Sequence, residues 1–261
     1  MAELVTISKD EEIATLFLNR PEAFNAFNLE MVEGLAGNLI TLAADQKIRC
    51  LIITGAGKAF CAGGDLKWML GFAGGSPAAV HELAARFHLA ILEIRRMAKP
   101  VIAAINGIAA GGGFSLALAC DFRVMAESAL LRQAYTSSGL CIDGGGSFTL
   151  PRLVGTARAM EIMAFDEPIP SAQALAWGLV TKVVKDERTL EEAIRMAKGL
   201  AQKSIHSFGW SKRLITDSFN TSFETQIEQE RRGIRSCAAH PEGKEGLLAF
   251  TEKRKPVFVS K

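Results

Sequence analysis

The 261-residue chain has the size of one large domain, or of a core domain with an appendage. Its composition is typical of a globular protein, with 49% hydrophobic and 22% charged residues. Lys and Arg together number 30 against 28 Asp and Glu, so the net charge is only +2. This balance argues against nucleic acid as a partner and against a broad membrane-binding surface.

The five cysteines form no recognisable ligand or disulfide pattern. Their number is odd, and no CxxC pair or His cluster accompanies them, so reduced thiols and no metal site are expected. The N-terminal stretch MAELVTISKDEE has no apolar signal core, and no stretch reaches the ~20 apolar residues of a membrane span. The sequence therefore predicts a protein that stays in the cytoplasm.

Short apolar runs predict strands of a sheet that is covered on both faces. They lie at Ile13–Leu18, 50–54, Val101–Ile105 and 122–125. Apolar residues at helical spacing predict helices over 29–42, with Asn28 as its N-cap, and over 80–97 and 113–119. The alternation of the two patterns predicts an α/β fold.

Strand signals end near residue 190, and helices are expected over 190–202, 205–217, 223–236 and 241–253. The predicted organisation is an α/β core over residues 1–190 and a helical region over residues 191–261. The glycine-rich stretch GFAGGSP, residues 71–77, is either a mobile flap over a site or a surface loop.

Two glycine-rich turns could hold an anion. They are FCAGGDLK, residues 60–67, and NGIAAGGGFS, residues 106–115, and each leads from an apolar strand towards a helix. Glycine lets backbone N–H groups approach a ligand closely, and a helix N-terminus adds unpaired donors and a positive dipole end. Tight turns and close packing would also explain these glycines, because neither segment has the spacing of a phosphate-binding or dinucleotide-binding loop.

Three motifs in order, FCAGGDLK, KPVIAAINGIAAGGG and DGGGSFTLPRLVG, resemble the enoyl-CoA hydratase/isomerase (crotonase) superfamily. The resemblance covers nearly the whole chain. It implies a crotonase-like fold of repeated ββα units with a C-terminal helical trimerisation region, assembled as a homotrimer or a dimer of trimers. It also implies an acyl-CoA thioester substrate, with coenzyme A as part of the substrate and no other cofactor, and an oxyanion hole formed by the N–H groups of Gly64 and Gly112.

The two glutamates that hold water in hydratases of this family have no acidic counterparts here. The first position, in a GGGxE pattern, is Ser115, and the second, in a downstream PE pair, is Tyr135. Water addition by two carboxylates is therefore not expected.

Asp143, in the stretch IDGGG, is the expected acid–base residue. The resemblance is greatest to the branch with the phenylacetate-pathway ring-epoxide isomerase, in which an Asp precedes the GG of this loop. An aspartate between apolar residues and glycines is expected to be partly desolvated, which makes it a better base towards carbon acids. The alternative is that Asp143 caps the following turn or helix.

His88 and Tyr135 each have two possible roles. Aryl-CoA dehalogenases of the superfamily combine an Asp at this loop with a His at the position of His88, but they have a Trp at the position of Tyr135. His88 is either a residue that activates water or a packed or surface residue. Tyr135 either donates its O–H to the substrate or lines the pocket.

The resemblance also places residues around the CoA and acyl groups. These are Ala23, Ala62, Asp65, Leu66, Trp68, Phe114, Phe250 and Lys253. The Asp65 side chain could instead cap the next helix. An apolar acyl pocket is expected to be lined by Trp68, Met69, Phe72 and Phe114.

The preferred interpretation is an acyl-CoA isomerase that works through a thioester enolate. Asp143 would move the proton, while Gly64 and Gly112 would stabilise the enolate oxygen. The first alternative is a hydratase, or a hydrolase or dehalogenase-like enzyme, that uses Asp143 with or without His88 to activate water. The second alternative is an inactive crotonase-fold protein that binds CoA or RNA.

Overall fold

The structure, a computed structural model, describes residues 3–258 and contains two sheets within that range. The six strands of the larger sheet are β1 Val5–Asp10, β2 Ile13–Leu18, β3 Cys50–Gly55, β5 Val101–Ile105, β7 Phe122–Ala126 and β10 Lys182–Val184, paired in this order. The four strands of the smaller sheet are β4 Ala59–Cys61, β6 Ile108–Ala110, β8 Leu130–Arg132 and β9 Ile169–Pro170. Neighbouring strands are parallel except for the pairs β1–β2 and β8–β9.

The same residues 3–258 contain ten α-helices. They are α1 Leu29–Ala44, α2 Leu66–Leu70, α3 Gly75–Arg96, α4 Gly112–Ala119, α5 Gly146–Phe165, α6 Ser171–Ala176, α7 Thr189–Ala201, α8 Ile205–Asp217, α9 Phe223–Ala239 and α10 Pro241–Thr251. Asn28 caps α1 as predicted, because its side-chain oxygen accepts the N–H of Met31 at 3.0 Å. No helix in the described part of the chain is long and apolar enough to cross a membrane.

The chain repeats a ββα unit, as the resemblance implies. The pairs β3–β4, β5–β6 and β7–β8 each place one strand in the larger sheet and the next in the smaller sheet before the chain enters helices. The three-residue strand β4 overlaps the start of the first glycine-rich segment, and β6 lies inside the second, just before Gly111. Sequence analysis missed them because three residues are too few to show a hydrophobic period.

Both faces of the four central strands of the larger sheet, β2, β3, β5 and β7, are largely buried, as the apolar runs predicted. Alternate residues of β3 point to opposite sides, so Leu51 and Ile53 join the main core while Ile52 packs beneath α7 against Ala193 and Ala197. Full burial of one such aliphatic side chain contributes about 1.5–3 kcal/mol. Helix α7 begins at Thr189, so the predicted boundary between core and helical region at residue 190 falls inside a helix that packs on the sheet.

Polar contacts attach the C-terminal helices to the sheet domain. Arg49, before β3, donates to the Ala201 carbonyl at 2.8 Å and pairs with Glu242 of α10 at 3.0 Å. Lys212 of α8 is buried and pairs with Asp121 at 2.8 Å. The glycine-rich stretch 71–77 connects α2 to α3 and supplies the first turn of α3.

Candidate active site

The two glycine turns of the sequence touch each other at the end of the smaller sheet. Gly63 has a φ of +96° and Gly111 a φ of +52°, in the region that favours glycine. A Cβ atom on Gly63 would lie 2.9 Å from the Ala110 carbonyl oxygen and 3.3 Å from the Gly112 nitrogen. Only a residue without a side chain allows the turns to approach this closely.

The N–H groups of Gly64 and Gly112 are both available as donors. Gly64 forms a parallel bridge with Phe27, in which the Gly63 carbonyl and the Asp65 N–H make the hydrogen bonds. The Gly64 N–H shares a peptide group with the Gly63 carbonyl, and the C=O and N–H of a trans peptide group point in opposite directions, so the Gly64 N–H faces away from Phe27. Gly112 begins α4, where the first N–H groups have no helical acceptor. Within residues 3–258, neither N–H donates to the protein.

Both donors line a cavity of about 580 Å³. Its wall is mainly apolar, with Phe27, Leu66, Met69, Val80, Leu83, Phe87, Leu140 and Ile142. Among the described residues 3–258, Asp143 is the only carboxylate on this wall, and no group of three or more His, Cys, Asp or Glu is placed to hold a metal ion. An apolar cavity with a few converging polar groups is typical of a small-molecule site.

Asp143 lies on a loop that glycines hold against α3 and α4. Gly144 has a φ of +59°, and a Cβ atom there would lie 2.5 Å from the Phe87 ring and 2.9 Å from the Ser115 Cβ. The Ser115 hydroxyl donates to the Asp143 carbonyl at 2.7 Å. The Asp143 side chain is 30% exposed and makes no cap to α5, so its carboxylate faces the cavity rather than a helix end.

His88 contacts the Asp143 carboxylate directly. The two are 55 residues apart in sequence, and His88 Nε2 lies 2.9 Å from Asp143 Oδ1. His88 projects from α3, and about half of its side chain is exposed. The sequence placed both residues in the site without predicting this contact, which depends on how α3 packs beside the Asp143 loop.

Ser115 and Tyr135, at the two hydratase glutamate positions, are adjacent in space. Their hydroxyl oxygens are 3.1 Å apart, and both residues are buried. Burial raises the pKa of the Tyr135 phenol well above its ordinary value, so this residue is neutral. Tyr135 lines the cavity, whereas Ser115 lies behind the wall and supports the Asp143 loop.

The predicted apolar lining needs correction. Met69 lines the cavity, but Trp68 packs against Phe72 with ring centroids 5.2 Å apart, and neither of these rings contributes to the cavity wall. Phe114 is fully buried in the core, because α4 is surrounded by protein on all sides. The expectation that Trp68, Phe72 and Phe114 line the pocket is therefore wrong.

Helix α3 supplies the apolar lining that sequence analysis missed. The residues are Val80, Leu83, Ala84 and Phe87. Their spacing of three and four residues places them on one face of the helix. That periodicity was visible in the sequence, but it did not show which neighbour the face would meet.

Asp65 caps α2 and also forms an ion pair. Its carboxylate accepts the Trp68 N–H at 3.0 Å and pairs with Arg20 at 2.6 Å. Partial burial favours the protonated form, but the contacts with Trp68 and Arg20 outweigh it and hold the pKa of Asp65 below its usual range. Sequence analysis anticipated the cap and missed Arg20.

The remaining predicted binding residues are divided between the cavity and the surface. Ala62 and Leu66 line the cavity. Ala23 lies in a single 3₁₀ turn, Pro21–Ala23, and is half-buried. Phe250 of α10 and Lys253 are exposed and lie outside the wall of this cavity.

Comparison with known proteins decides the family. Residues 8–261 match the family model described as enoyl-CoA hydratase/isomerase. The chain belongs to this family. It is 36% identical to a 1,2-epoxyphenylacetyl-CoA isomerase from Escherichia coli, with 100% of both chains covered. It is 35% identical to a crotonyl-CoA hydratase from Syntrophomonas wolfei, with 99% of both chains covered.

Solved structures confirm the crotonase fold. An enoyl-CoA hydratase from Polaromonas has a TM-score of 0.92 at 36% identity, covering 97% of this chain and 98% of that one. An enoyl-CoA hydratase from Bacillus anthracis has a TM-score of 0.91 at 33% identity, covering 98% of both chains. Some relatives of this chain are named as isomerases and others as hydratases.

Proposed function

We propose that this protein is an acyl-CoA isomerase in which Asp143 transfers a proton between two carbons of the acyl group. The observation that carries the proposal is that Asp143 is the single carboxylate on the wall of the cavity within residues 3–258. Coenzyme A arrives as part of the substrate, and no other cofactor takes part.

The proposed reaction has two proton transfers and no net change in atoms. The Asp143 carboxylate removes a proton from the acyl chain, and the electron pair left behind moves towards the thioester oxygen. The N–H groups of Gly64 and Gly112 stabilise the enolate oxygen as its charge develops, a contribution of about 3–4 kcal/mol for one well-placed donor. The protonated Asp143 then returns the proton to another carbon and regains its charge.

The alternative of two-carboxylate hydration has less support. Water addition by the family's glutamate pair would need acidic groups at Ser115 and Tyr135, and these positions hold two hydroxyl groups in mutual contact. The Escherichia coli relative is named as an isomerase, which supports isomerisation as the reaction. The acyl group is expected to be apolar, since apolar side chains form most of the cavity wall.

Proton exchange tests the proposed reaction. An isomerase that forms an enolate should exchange α- or γ-protons of an acyl-CoA with solvent deuterium, because the protonated Asp143 can exchange before it returns the proton. Mass spectrometry of a panel of 2-enoyl-, 3-enoyl- and ring-epoxide acyl-CoA thioesters in deuterium oxide would measure the exchange. Bound acyl-CoA without exchange or turnover would support the inactive binding protein instead.

One observation favours a second candidate, a hydrolase or dehalogenase-like enzyme. In that reaction the Asp143 carboxylate attacks either the thioester carbonyl carbon, which releases CoA thiolate and leaves an acyl anhydride, or a ring carbon, which releases halide and leaves an aryl ester. Water then cleaves this covalent intermediate. His88 would take the proton of that water. The contact of 2.9 Å between His88 and Asp143 places a base beside the position of such an intermediate.

The variant His88→Gln separates the two candidates. For an isomerase we expect the rate to stay within a few-fold, because no water is activated and glutamine can still donate to Asp143. For a hydrolase the first half-reaction survives and the second stalls, so a covalent adduct should accumulate on Asp143. Intact-protein mass spectrometry and peptide mapping would detect it.

A matched control for this variant is His81→Gln. His81 is exposed on the same helix, α3, and does not line the cavity. Its replacement should leave the rate unchanged and form no adduct. A stable added mass on Asp143 in the His88→Gln protein alone would overturn the isomerase proposal.

We also propose that the chain assembles as a trimer or a dimer of trimers through its C-terminal helices. Large apolar side chains on α9 and α10 are more than 40% exposed, namely Phe223, Ile227, Ile234, Leu247 and Leu248. Phe250 and Lys253 would then complete a CoA site at a subunit boundary. A monomer in light scattering at micromolar concentration would contradict this assembly.

A further inference from the structure

A second cavity of about 420 Å³ lies behind the active-site loop. It is bordered by residues of α3, α4, α5 and α8, the last helix of the four coming from the C-terminal region. Gly145 lines both cavities, so the loop that carries Asp143 is a shared wall. The proposed isomerisation gives this second cavity no role.

Two arginines border the second cavity and face the same aromatic ring. The guanidinium carbons of Arg95 and Arg152 lie 4.3 Å and 3.3 Å from the centroid of Phe148. Arg152 also lies 4.7 Å from the ring of Phe219. The negative faces of aromatic rings stabilise such cations, but they do not use the N–H donors of a guanidinium.

Neither arginine has a carboxylate partner within 4 Å among residues 3–258. The carboxylate on this cavity wall, Asp121, is already paired with Lys212 at 2.8 Å. Arg95 donates to the Thr216 carbonyl and Arg152 to the Phe148 carbonyl, one hydrogen bond each. A guanidinium has five N–H donors, so most of theirs are left for a ligand.

The positive charges of Arg95, which is half-buried, and of Arg152, which is exposed, repel each other. Burial lowers the pKa of Arg95, and the positive charge of Arg152 lowers it further, while Asp217 acts in the opposite direction. Asp217 itself lies 3.9 Å from Arg213. An anion between Arg95 and Arg152 would relieve the repulsion, and a carboxylate matches the planar geometry of guanidinium groups.

The rest of the cavity wall is apolar, with Ile91, Leu118, Leu153 and Ile215. We propose that this cavity binds a carboxylate attached to an apolar body, with the head group held by Arg95 and Arg152. Two sources fit this chemistry, a free medium-chain carboxylic acid and the far end of an acyl-CoA that carries a second carboxylate. The free acid would bind independently of the proposed reaction.

Calorimetric titration of the full chain with octanoate tests the free acid. With butyryl-CoA present to fill the active-site cavity, octanoate should still bind at one site, and neutral octan-1-ol should bind more weakly. Arg152→Gln should weaken octanoate binding by about tenfold or more, because it removes charge-assisted hydrogen bonds. Arg95→Lys keeps the charge but loses the fork of donors, so it should weaken binding less.

The second source is tested by comparing adipyl-CoA with hexanoyl-CoA. If the far carboxylate of the acyl group occupies the second cavity, Arg152→Gln should lower the affinity for adipyl-CoA by a similar factor. The affinity for hexanoyl-CoA should stay unchanged. The matched control is Arg96→Gln, which changes an exposed arginine next to Arg95 that does not line the cavity. The proposal is overturned if the affinities for octanoate and for adipyl-CoA are both unchanged by substitution of Arg95 and of Arg152. It is also overturned if butyryl-CoA displaces octanoate completely.

Discussion

Asp143→Asn is expected to lower turnover by about 10²–10⁴-fold, the usual effect of removing a general base. The amide keeps the shape of the side chain but cannot accept a proton. Affinity for acyl-CoA should change little, because the donors to the thioester are backbone groups. Steady-state kinetics, together with titration of a non-reacting acyl-CoA, would measure the two effects separately.

The same variant should also lose deuterium exchange at the acyl carbons, because exchange requires the first proton transfer alone. A suitable control is Asp10→Asn, which neutralises an exposed aspartate at the end of β1, away from the cavity. The control should keep the wild-type rate and exchange. If Asp143→Asn retained half of the wild-type rate, Asp143 would not be the base.

The sequence predicted most of the elements that build the site, because their signals are local. The strand Ile13–Leu18 and the helix Ile205–Asp217 have the predicted bounds. The strand signals are runs of apolar residues, and the helix signals are apolar residues three and four apart. Strands β4 and β6 carry no such signal, although they lead into the glycines that line the cavity.

Long-range contacts within the site could not be read from the sequence. The resemblance identified His88 and Asp143 separately, but their contact depends on the packing of α3 beside a loop 55 residues away. Phe114 and Ser115 are neighbours in an apolar helix, and the sequence did not show that this helix is enclosed on all sides. Arg20 was missed because its partner, Asp65, is 45 residues away.

Gly113→Ala is the second substitution with a large expected effect, through the geometry of the two N–H donors. Gly113 follows the donor residue Gly112, and its backbone packs against Cys61, three residues before the donor residue Gly64. A Cβ atom on Gly113 would lie 2.2 Å from the Cys61 carbonyl oxygen and 2.7 Å from the Cys61 Cβ. Relief of this clash must move α4 away from β4, and with it one donor away from the other.

We therefore expect Gly113→Ala to lower kcat by about 10²–10³-fold, as the loss of one oxyanion donor does, and to reduce stability by about 1–3 kcal/mol through overpacking. Chemical denaturation would give the stability, and kcat would be measured where both proteins are folded. The control is Gly37→Ala on the exposed face of α1, where no atom lies within 4 Å of the new Cβ. This control should gain about 0.5–1 kcal/mol, since alanine favours the helix. A Gly113→Ala protein that is destabilised but keeps the wild-type kcat would show that the spacing of these two turns does not govern catalysis.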